Sequence, residues 1–468
     1  MIMATTVSQT AFSSLKLDPA LLQNLEDLGY QQMRPIQAQS LPAIIEGKDV
    51  IGQAKTGSGK TAAFALGLLH HLDVKRFRVQ HLVLCPTREL ADQVAKEIRQ
   101  LARAIHNIKV LTLCGGMPFG PQVGSLEHGA HIVVGTPGRI EEHIRKNNLP
   151  LKDITGFVLD EADRMLDMGF QDSLESIVNA LPKQRQTLLF SATYPENIEK
   201  LAAWVTNKPV RVEVQESDVH SQIKQLFYRL QDNKQRMTAL SLLLKKEKPE
   251  SSIVFCNTKR EAQEIADELR SQGFSAVALH GDLEQRQRDQ TLVRFANKSA
   301  SIMVATDVAA RGLDIESVDA VFNYHLARDP EVHVHRVGRT GRGDKKGKAF
   351  SFYTDKEGYK LVALEETLSV DATAQKLPDF SVLDKPAFKA PMATLQIDGG
   401  KKQKVRPGDI LGALTGKNGI AGKQVGKISV LDYCAYVAVE RDAAKPALKK
   451  LSEGKLKGRS FRARRIRG

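Results

Sequence analysis

Three carboxylates follow a short apolar run near residue 160. Residues 156–159 read GFVL, and Asp160, Glu161 and Asp163 come directly after them. Such a run predicts a buried strand, and parallel sheets bind ligands beyond the carboxyl ends of their strands. Mg²⁺ prefers oxygen ligands, so we assign Asp160 to a metal ion. We assign Glu161 to a water that attacks a phosphate, and we expect Asp163 to hold neighbouring loops.

A glycine-rich segment upstream supplies the other half of such a site. Residues 54–61 read AKTGSGKT, where backbone N–H groups can close around phosphates at a helix N-terminus. We expect Lys60 to contact the outer phosphates and the Thr61 hydroxyl to bind Mg²⁺. Alone, the acidic motif would indicate a solvated turn; with this segment it indicates a Mg²⁺–nucleotide site. The pattern G-x-x-x-x-G-K-[ST] is incomplete because residue 54 is alanine. The other predicted phosphate-loop residues are Thr56, Gly57, Ser58 and Gly59.

Short apolar strand candidates alternate with helix-like stretches in two parts of the chain. Before residue 208 the candidates include 50–52, 82–85, 110–113, 132–135, 157–159 and 187–190. After residue 222 they include 253–255, 276–279, 302–305, 320–323 and 349–352. This alternation predicts an α/β protein with parallel sheets and helices on both faces of each sheet.

The pattern predicts three domains. The first spans residues 1–208 and the second spans 222–376, with a hinge at 209–221 between them. Residues 377–392 contain three prolines and are expected to form an extended linker. Residues 393–468 read strand, helix, strand, strand, helix, strand, which predicts a small βαββαβ domain.

Composition favours a globular protein. Hydrophobic residues make up 42% of the 468-residue chain, which is enough for packed cores. No apolar run reaches about 18 residues, so we expect no membrane span. The N-terminus lacks a basic cluster followed by an apolar block, so we expect no signal peptide. The four cysteines are scattered without a C-x-x-C pair, which predicts reduced thiols in a cytoplasmic protein.

Positive charge is concentrated at the C-terminal end. Residues 393–468 hold 11 lysines and 7 arginines against 6 acidic residues, a net +12 out of the +14 of the whole chain. A basic module on a nearly neutral body predicts a polyanionic partner, with nucleic acid as the default. A merely solubilising basic surface is the alternative.

The nucleotide motifs resemble those of the DEAD-box family of ATP-dependent RNA helicases, over residues 12–352. Residues 29–37 (GYQQMRPIQ) are similar to the family's adenine-reading motif, and residues 191–193 (SAT) to its coupling motif. Residues 335–342 (HRVGRTGR) are similar to its arginine motif, with valine in place of a common isoleucine. The resemblance implies two tandem RecA-like domains, ATP and Mg²⁺ as cofactors, and local strand separation rather than translocation.

The resemblance gives roles to residues of the first domain. Gln37 would read the adenine edge, which suits a side-chain amide because it presents both a donor and an acceptor. Phe12 would stack on the base, with a place in the core as the alternative. Ser191 and Thr193 would tie the acidic loop to the domain interface.

The resemblance also implies that the second domain completes the nucleotide site. Arg339 and Arg342 would stabilise charge on the γ-phosphate. His335 would link their loop to the first domain, and Asp314 would contact the ribose. The site would then be complete only when the domains close, and ATP would favour the closed state.

A track for the RNA backbone is implied in the same way. Hydroxyls, arginines and loop N–H groups suit contacts to phosphate and sugar, which carry little sequence information. A plain structural role, such as an ion pair for Arg88, is the alternative for each residue. The residues that match the family's RNA motifs are Arg88, Gly116, Thr136, Gly138, Arg139, Thr258, Gln285, Arg288 and Thr306.

The basic C-terminal domain resembles an RNA-recognition module with a degraded aromatic signature. Tyr436 matches an aromatic position of its central strands, whereas Gln396, Cys434 and Val439 occupy others. We therefore expect basic side chains to share RNA binding with Tyr436. These basic residues are Lys402, Lys404, Arg406, Arg459 and Arg462.

Residues 396–402 and 406–414 resemble the DbpA subgroup of bacterial DEAD-box proteins. This resemblance implies 23S ribosomal RNA near the peptidyl-transferase centre as the target, and a role in large-subunit assembly, that is, in ribosome biogenesis. We expect a monomer without a membrane partner. Three alternatives stay open: a general RNA annealer anchored by charge, a clamp that ATP closes on RNA as a scaffold, and a DNA translocase.

Overall fold

The computed structural model describes residues 11–54, 57–214, 223–310, 317–341, 346–368 and 370–466. The described chain forms two compact units. The first contains the described residues up to 214, and the second contains those from 223 onwards. None of the helices in these ranges is long and apolar enough to cross a membrane.

A parallel sheet of seven strands forms the centre of the first unit as described. Its order is β3-β4-β2-β5-β6-β1-β7, and each neighbouring pair is parallel. The crossover order requires connections that return each strand to the same direction, which the intervening helices provide. The strands are β1 (Val50–Gln53), β2 (His81–Leu84), β3 (Val110–Leu113), β4 (Ile132–Gly135), β5 (Gly156–Asp160), β6 (Gln186–Ser191) and β7 (Val210–Glu213).

Helices cover both faces of this sheet. Successive strand residues point to opposite faces, so Val158 belongs to one apolar core and its neighbours Phe157 and Leu159 belong to the other. Burial on both faces explains why the strands read as continuous apolar runs. The helices are α1 (Pro19–Asp27), α2 (Pro35–Ile45), α3 (Lys60–His70), α4 (Arg88–Leu101), α5 (Phe119–Glu127), α6 (Pro137–Arg145), α7 (Ala162–Asp167), α8 (Gln171–Ala180) and α9 (Glu196–Val205).

A second parallel sheet lies in the second unit, with the order β10-β11-β9-β12-β13-β8. Its strands are β8 (Ile223–Arg229), β9 (Ser252–Cys256), β10 (Ala276–Leu279), β11 (Ile302–Thr306), β12 (Ala320–Asn323) and β13 (Gly347–Tyr353). The helices around it are α10 (Gln235–Glu247), α11 (Lys259–Ser271), α12 (Gln285–Ala296), α13 (Asp307–Ala310), α14 (Pro330–Val337) and α15 (Gly358–Leu368).

An antiparallel sheet with the order β15-β16-β14-β17 completes the second unit. Its strands are β14 (Met392–Ile397), β15 (Val425–Val430), β16 (Ala435–Glu440) and β17 (Ala463–Arg465), and its helices are α16 (Pro407–Thr415) and α17 (Ala444–Glu453). The chain order β14-α16-β15-β16-α17-β17 is the predicted βαββαβ arrangement. The predicted fold class, two RecA-like parallel-sheet domains followed by this smaller domain, is confirmed.

The structure contains two edge strands, β7 and β8, that are not among the strands predicted from the sequence. β7 lies inside the predicted hinge and pairs with β1, and β8 begins the second sheet beside β13. β7 was hard to detect because its apolar Val210 and Val212 alternate with charged residues, as is usual for an edge strand. Strand β7 therefore extends the first sheet past the boundary predicted at residue 208.

The segment 377–392 is packed rather than simply extended. It contains a 3₁₀ helix, Phe380–Asp384, whose Leu383 carbonyl accepts a hydrogen bond from Lys245 Nζ at 2.6 Å. Phe388 contacts Phe274 edge to face, with ring centroids 5.4 Å apart. This segment therefore lies along the core of the second parallel sheet.

Candidate functional site

The strand order of the first sheet gathers the nucleotide motifs at one place. Strands β5, β6 and β1 are neighbours, and the acidic motif, the SAT motif and the phosphate loop follow them. Parallel strands end at the same edge, which we call the carboxyl edge of the sheet. Motifs far apart in sequence therefore share one site.

The phosphate loop depends on glycine where the backbone is left-handed. Gly57 has φ = 87° and Gly59 has φ = 94°. A Cβ on Gly59 would lie 2.6 Å from Nε2 of Gln37, so a side chain there would also clash. Lys60 starts α3, and its buried Nζ donates a hydrogen bond to the Ala54 carbonyl at 2.6 Å. Lysine and loop are thus held together before any phosphate arrives.

Asp160 is the last residue of β5 and is buried. Among the described residues, its Oδ1 atom has no hydrogen-bond partner. Burial raises the pKa of the Asp160 carboxyl to about 7, although the positive charge of Lys60 opposes the shift. A buried carboxylate oxygen without a partner fits a hard cation such as Mg²⁺, and Thr61 in the first turn of α3 offers a second oxygen.

Glu161 has a strained backbone, with φ = 54° and ψ = 51°, in a region that favours glycine. This conformation turns the chain from β5 into α7. The Glu161 carboxylate accepts a hydrogen bond from Arg164 at 2.6 Å, and each side chain is 4% exposed. Arg164 was not among the predicted site residues, although its spacing of three residues on a helix predicts contact with Glu161.

Asp163 joins the acidic motif to the SAT motif. Its Oδ2 atom accepts hydrogen bonds from the N–H groups of Ala192 and Thr193 at 3.2 and 3.0 Å, and from the Thr193 hydroxyl at 3.1 Å. Asp163 thus connects two loops, in the way expected for this residue. The Ser191 hydroxyl is buried and has no hydrogen-bond partner among the described residues.

Gln37 lies beside the phosphate loop. Its Oε1 atom accepts a hydrogen bond from the Arg34 N–H at 2.8 Å, and its Nε2 atom donates one to the Gly59 carbonyl at 3.0 Å. Arg34 also donates to the Gly57 carbonyl, a contact that the sequence did not suggest. Phe12 lies in the core and contacts Tyr30, with centroids 6.0 Å apart, which matches the core alternative given above.

The other half of the carboxyl edge holds the predicted RNA residues of the first unit. Arg88 begins α4 after β2, and Thr136 precedes α6 after β4. The Thr136 hydroxyl accepts a hydrogen bond from the Gly115 N–H at 3.3 Å, which joins the Gly115–Gly116 turn to this helix start. Arg139 donates to the Met117 carbonyl at 3.0 Å. The nearby Gly138 has open space around it among the described residues.

In the second sheet, too, the predicted RNA residues lie together at one part of the carboxyl edge. Strands β10, β11 and β9 are neighbours, and the predicted RNA residues lie at or after their carboxyl ends. Thr258 caps α11, accepting a hydrogen bond from the Glu261 N–H at 3.2 Å. Gln285 and Arg288 lie on α12, and Arg288 donates to the Ala309 carbonyl at 3.0 Å. Thr306 is the last residue of β11.

The arginine motif begins on α14, where His335 lies, and Arg339 follows that helix. Within the motif, the buried Arg336 forms a two-point ion pair with Asp307 at 2.6 and 2.8 Å and donates to the His325 carbonyl at 2.7 Å. The resemblance had given Arg336 no role. The predicted site residues Thr56, Asp314 and Arg342 lie outside the described residues.

One face of the antiparallel sheet is closed. Thr394 and Gln396 on β14 pair with Ala438 and Tyr436 on β16, so these four side chains share a face. Thr394 exchanges hydrogen bonds with side chains after α12, at 2.9 Å from Asn297 Nδ2 and 2.6 Å from Ser299 Oγ. Tyr436 is 1% exposed, so it is closed to RNA in this structure, contrary to its predicted part in RNA binding.

The basic residues predicted to bind RNA lie elsewhere on this domain and are exposed. They are Lys402, Lys404, Arg406, Arg459 and Arg462. The first three follow β14, and the last two precede β17. Loops and strand ends, rather than the sheet face, therefore present the positive charge.

Three segments of the chain match known families. Residues 34–201 match the DEAD/DEAH box helicase family, and residues 235–344 match the helicase conserved C-terminal domain. Residues 394–465 match the DbpA RNA binding domain.

Similar proteins are known across most of the chain. The ATP-dependent RNA helicase DbpA of Escherichia coli (strain K12) is 52% identical over 459 residues, which cover 98% of this chain and 100% of that protein. The DEAD-box ATP-dependent RNA helicase CshA of Bacillus cereus is 43% identical over 358 residues, which cover 76% of this chain and 68% of that protein. The solved structure of S. cerevisiae Dbp5 bound to RNA and ADP BeF3 has a TM-score of 0.71 and 31% identity, and covers 81% of this chain and 100% of that chain.

Proposed function

This chain belongs to the DEAD-box family of ATP-dependent RNA helicases and ends in an RNA-binding domain of the DbpA type, and we propose that it separates short duplexes in 23S ribosomal RNA during assembly of the large ribosomal subunit. Its homologues hydrolyse ATP, and RNA is its partner. We further propose that it works with Mg²⁺, as a monomer, in the cytoplasm.

The observation that carries the catalytic part is the meeting of Lys60, Asp160 and Glu161 at the carboxyl edge of the first sheet. Asp160 and Thr61 would hold Mg²⁺, which when bound neutralises charge on the phosphates. Lys60 would leave the Ala54 carbonyl to contact the outer phosphates. Arg339 and Arg342 remain the proposed groups that stabilise negative charge on the γ-phosphate.

Glu161 is proposed to take the proton of the attacking water. A general base needs a fixed position within hydrogen-bond reach of that water. The hydrogen bond from Arg164 and the strained turn between β5 and α7 both restrict the Glu161 carboxylate. The three hydrogen bonds from Ala192 and Thr193 to Asp163 support a role for Thr193 in linking hydrolysis to RNA binding, and Ser191 of the same segment is proposed to share it.

The RNA part of the proposal is supported by the placement of the predicted contacts. In each parallel sheet, these residues lie at or after the ends of three neighbouring strands. Hydroxyls, helix starts and arginines there suit backbone contacts, so the two core sheets would bind RNA of many sequences. Selection of 23S rRNA is assigned to the C-terminal domain, with its net charge of +12.

Deleting the C-terminal domain would be a poor test of this targeting role. It would also expose Asn297 and Ser299, which form hydrogen bonds with Thr394 of that domain. A charge variant is sharper. We expect the triple variant Lys402→Ala, Lys404→Ala, Arg459→Ala to lose the preference for 23S rRNA fragments over unrelated RNA in ATPase stimulation. Maximal ATPase activity at saturating RNA should stay unchanged.

The matched control removes the same charge from exposed positions outside this cluster. It is the triple variant Lys423→Ala, Lys445→Ala, Lys449→Ala. We expect this control to keep the preference of the unmodified chain. A retained preference in the first variant, or an equal loss in the control, would contradict the targeting role of the cluster.

A further inference from the structure

An exposed tyrosine, Tyr433, lies in a turn bonded to the loop that carries Lys402 and Lys404, and it has no role in the function proposed above. Tyr433 is 64% exposed, in the turn between β15 and β16. This turn is closed by a hydrogen bond from the Leu431 N–H to the Cys434 carbonyl at 2.8 Å. Tyr433 makes no ring contact with another aromatic or cationic side chain in the described part of the chain. An aromatic ring left in water at a fixed turn is available to a ligand.

The turn that carries Tyr433 is joined to the basic loop after β14. The N–H groups of Lys401 and Lys402 donate hydrogen bonds to the carbonyls of Leu431 and Asp432 at 2.8 and 2.9 Å. Gly400 allows this approach, since a Cβ there would lie 2.3 Å from the Leu431 carbonyl oxygen. The backbone of Lys402 is therefore bonded to the residue before Tyr433. The turn that carries Tyr433 and the basic loop are thus held together through their backbones.

The basic loop also forms one wall of a cavity of about 420 Å³. Lys402, Lys404, Lys457 and Arg459 line it, with Asp409 as the acidic lining residue. Lys457 Nζ contacts Asp409 at 3.2 Å and donates to the Lys404 carbonyl at 3.2 Å. The surplus of positive charge predicts an anionic occupant, such as a phosphate.

Two lysines of this cavity have left-handed backbones. Lys404 has φ = 60° and Lys457 has φ = 49°. Lysine gains nothing locally from this region, so surrounding contacts hold these two backbones in place. The Lys457–Lys404 hydrogen bond described above is one such contact.

We infer that Tyr433 and this cavity together bind one unpaired stretch of RNA, with a base stacked on the Tyr433 ring and its backbone phosphates in the cavity. Stacking needs a base that has left its duplex, so the ligand is single-stranded. This site replaces the closed sheet face, where Tyr436 is buried. The inference rests on the proposed function, because it assumes that the C-terminal domain selects rRNA.

The test uses the full chain and a labelled 23S rRNA fragment spanning the peptidyl-transferase centre. Dissociation constants are measured by fluorescence anisotropy over a range of KCl concentrations. We expect Tyr433→Ala to weaken binding about fivefold to 150-fold, the range for loss of one stacked base. The dependence of log K on log[KCl] should stay unchanged, because no phosphate contact is lost.

Three variants separate stacking from other effects. Tyr433→Phe keeps the ring and should bind as tightly as the unmodified chain. Lys402→Ala should lower the salt slope by about 0.7, the value for one phosphate of a single strand. Tyr359→Ala removes another exposed tyrosine, 71% accessible on α15, and should leave binding unchanged.

The inference fails if Tyr433→Ala binds within twofold of the unmodified chain, or if Tyr433→Phe binds as weakly as Tyr433→Ala. It also fails if Tyr433→Ala weakens binding to a fully paired RNA duplex to the same extent. If Tyr433→Ala binds normally while the variant lacking Lys402, Lys404 and Arg459 loses its rRNA preference, the proposed function stands and only the Tyr433 site is rejected. If that variant also keeps its preference, the targeting role itself is wrong.

Discussion

The Asp163 carboxylate accepts hydrogen bonds from both the N–H and the hydroxyl of Thr193, at 3.0 and 3.1 Å. This relationship joins the loop that carries Glu161 to the end of β6. These hydrogen bonds hold the two loops together. The acidic motif thus contains two kinds of carboxylate: Asp160 and Glu161, which we propose act on the nucleotide, and Asp163, which joins two loops.

The first prediction concerns this framework. Asp163→Ala leaves the N–H groups of Ala192 and Thr193 and the Thr193 hydroxyl without their acceptor, so we expect the free energy of unfolding to fall by about 1–3 kcal/mol. Thr193→Ala removes one hydrogen bond and should cost about 0.5–1.5 kcal/mol. Urea unfolding followed by fluorescence of Trp204, the single tryptophan of the chain, reports on the first unit.

A surface carboxylate provides the control for that measurement. Glu127 is exposed at the end of α5, and Glu127→Ala should leave the urea midpoint nearly unchanged. If Asp163→Ala behaved like Glu127→Ala, its three hydrogen bonds would not stabilise the folded chain.

The second prediction concerns catalysis. Glu161→Gln keeps an acceptor for Arg164 but cannot take a proton, so we expect ATP turnover with RNA to fall about 10²- to 10⁴-fold. Affinities for ATP and RNA should remain close to those of the unmodified chain. Steady-state phosphate release and equilibrium binding of a fluorescent ATP analogue measure the two properties. Normal turnover would exclude Glu161 as the base.

The third prediction concerns pH. Burial raises the folded-state pKa of the Asp160 carboxyl to about 7, above the ordinary aspartate value of 3.8 that the unfolded chain would show. Between these values the folded chain binds the extra proton, so stability is greatest below the lower pKa and is lost as pH rises towards 7. The slope has an upper limit of about 1.4 kcal/mol per pH unit.

Comparison with Asp160→Asn, which imitates the protonated carboxyl, isolates this effect. In metal-free and nucleotide-free buffer, the variant should match the unmodified chain below pH 3.8, and its excess stability should grow as pH rises from there to about 7. Unfolding midpoints across this range, again by Trp204 fluorescence, provide the measurement. A pH-independent difference between the two chains would contradict the raised pKa.

The fourth prediction concerns the junction within the second unit. Thr394→Val removes the hydroxyl that meets Asn297 and Ser299, so we expect the packing of β14 beside α12 to weaken by about 1–3 kcal/mol. Faster amide hydrogen exchange at residues 377–397 should result. Thr415→Val, at the exposed end of α16, is the control and should leave that exchange unchanged. Equal exchange in both variants would mean that these hydrogen bonds do not hold the junction.

The sequence by itself determined the fold class and predicted a nucleotide site with named residues. The glycine-rich turn, the acidic motif and the alternation of strands and helices are local patterns that depend on neighbouring residues. The concentration of charge in residues 393–468 is likewise visible without coordinates. Edge strands such as β7 were not predicted, because half of their residues face water and their sequences therefore contain no apolar run.

Only the tertiary structure decided which motifs meet and which side chains remain accessible. The order β3-β4-β2-β5-β6-β1-β7 separates the proposed RNA residues from the nucleotide residues along one edge, and no local pattern encodes strand order. Burial is equally non-local. Tyr436 and Tyr433 lie three positions apart, yet one is closed within a packed face and the other is open beside a basic cavity. Contacts with residues distant in sequence decide this difference.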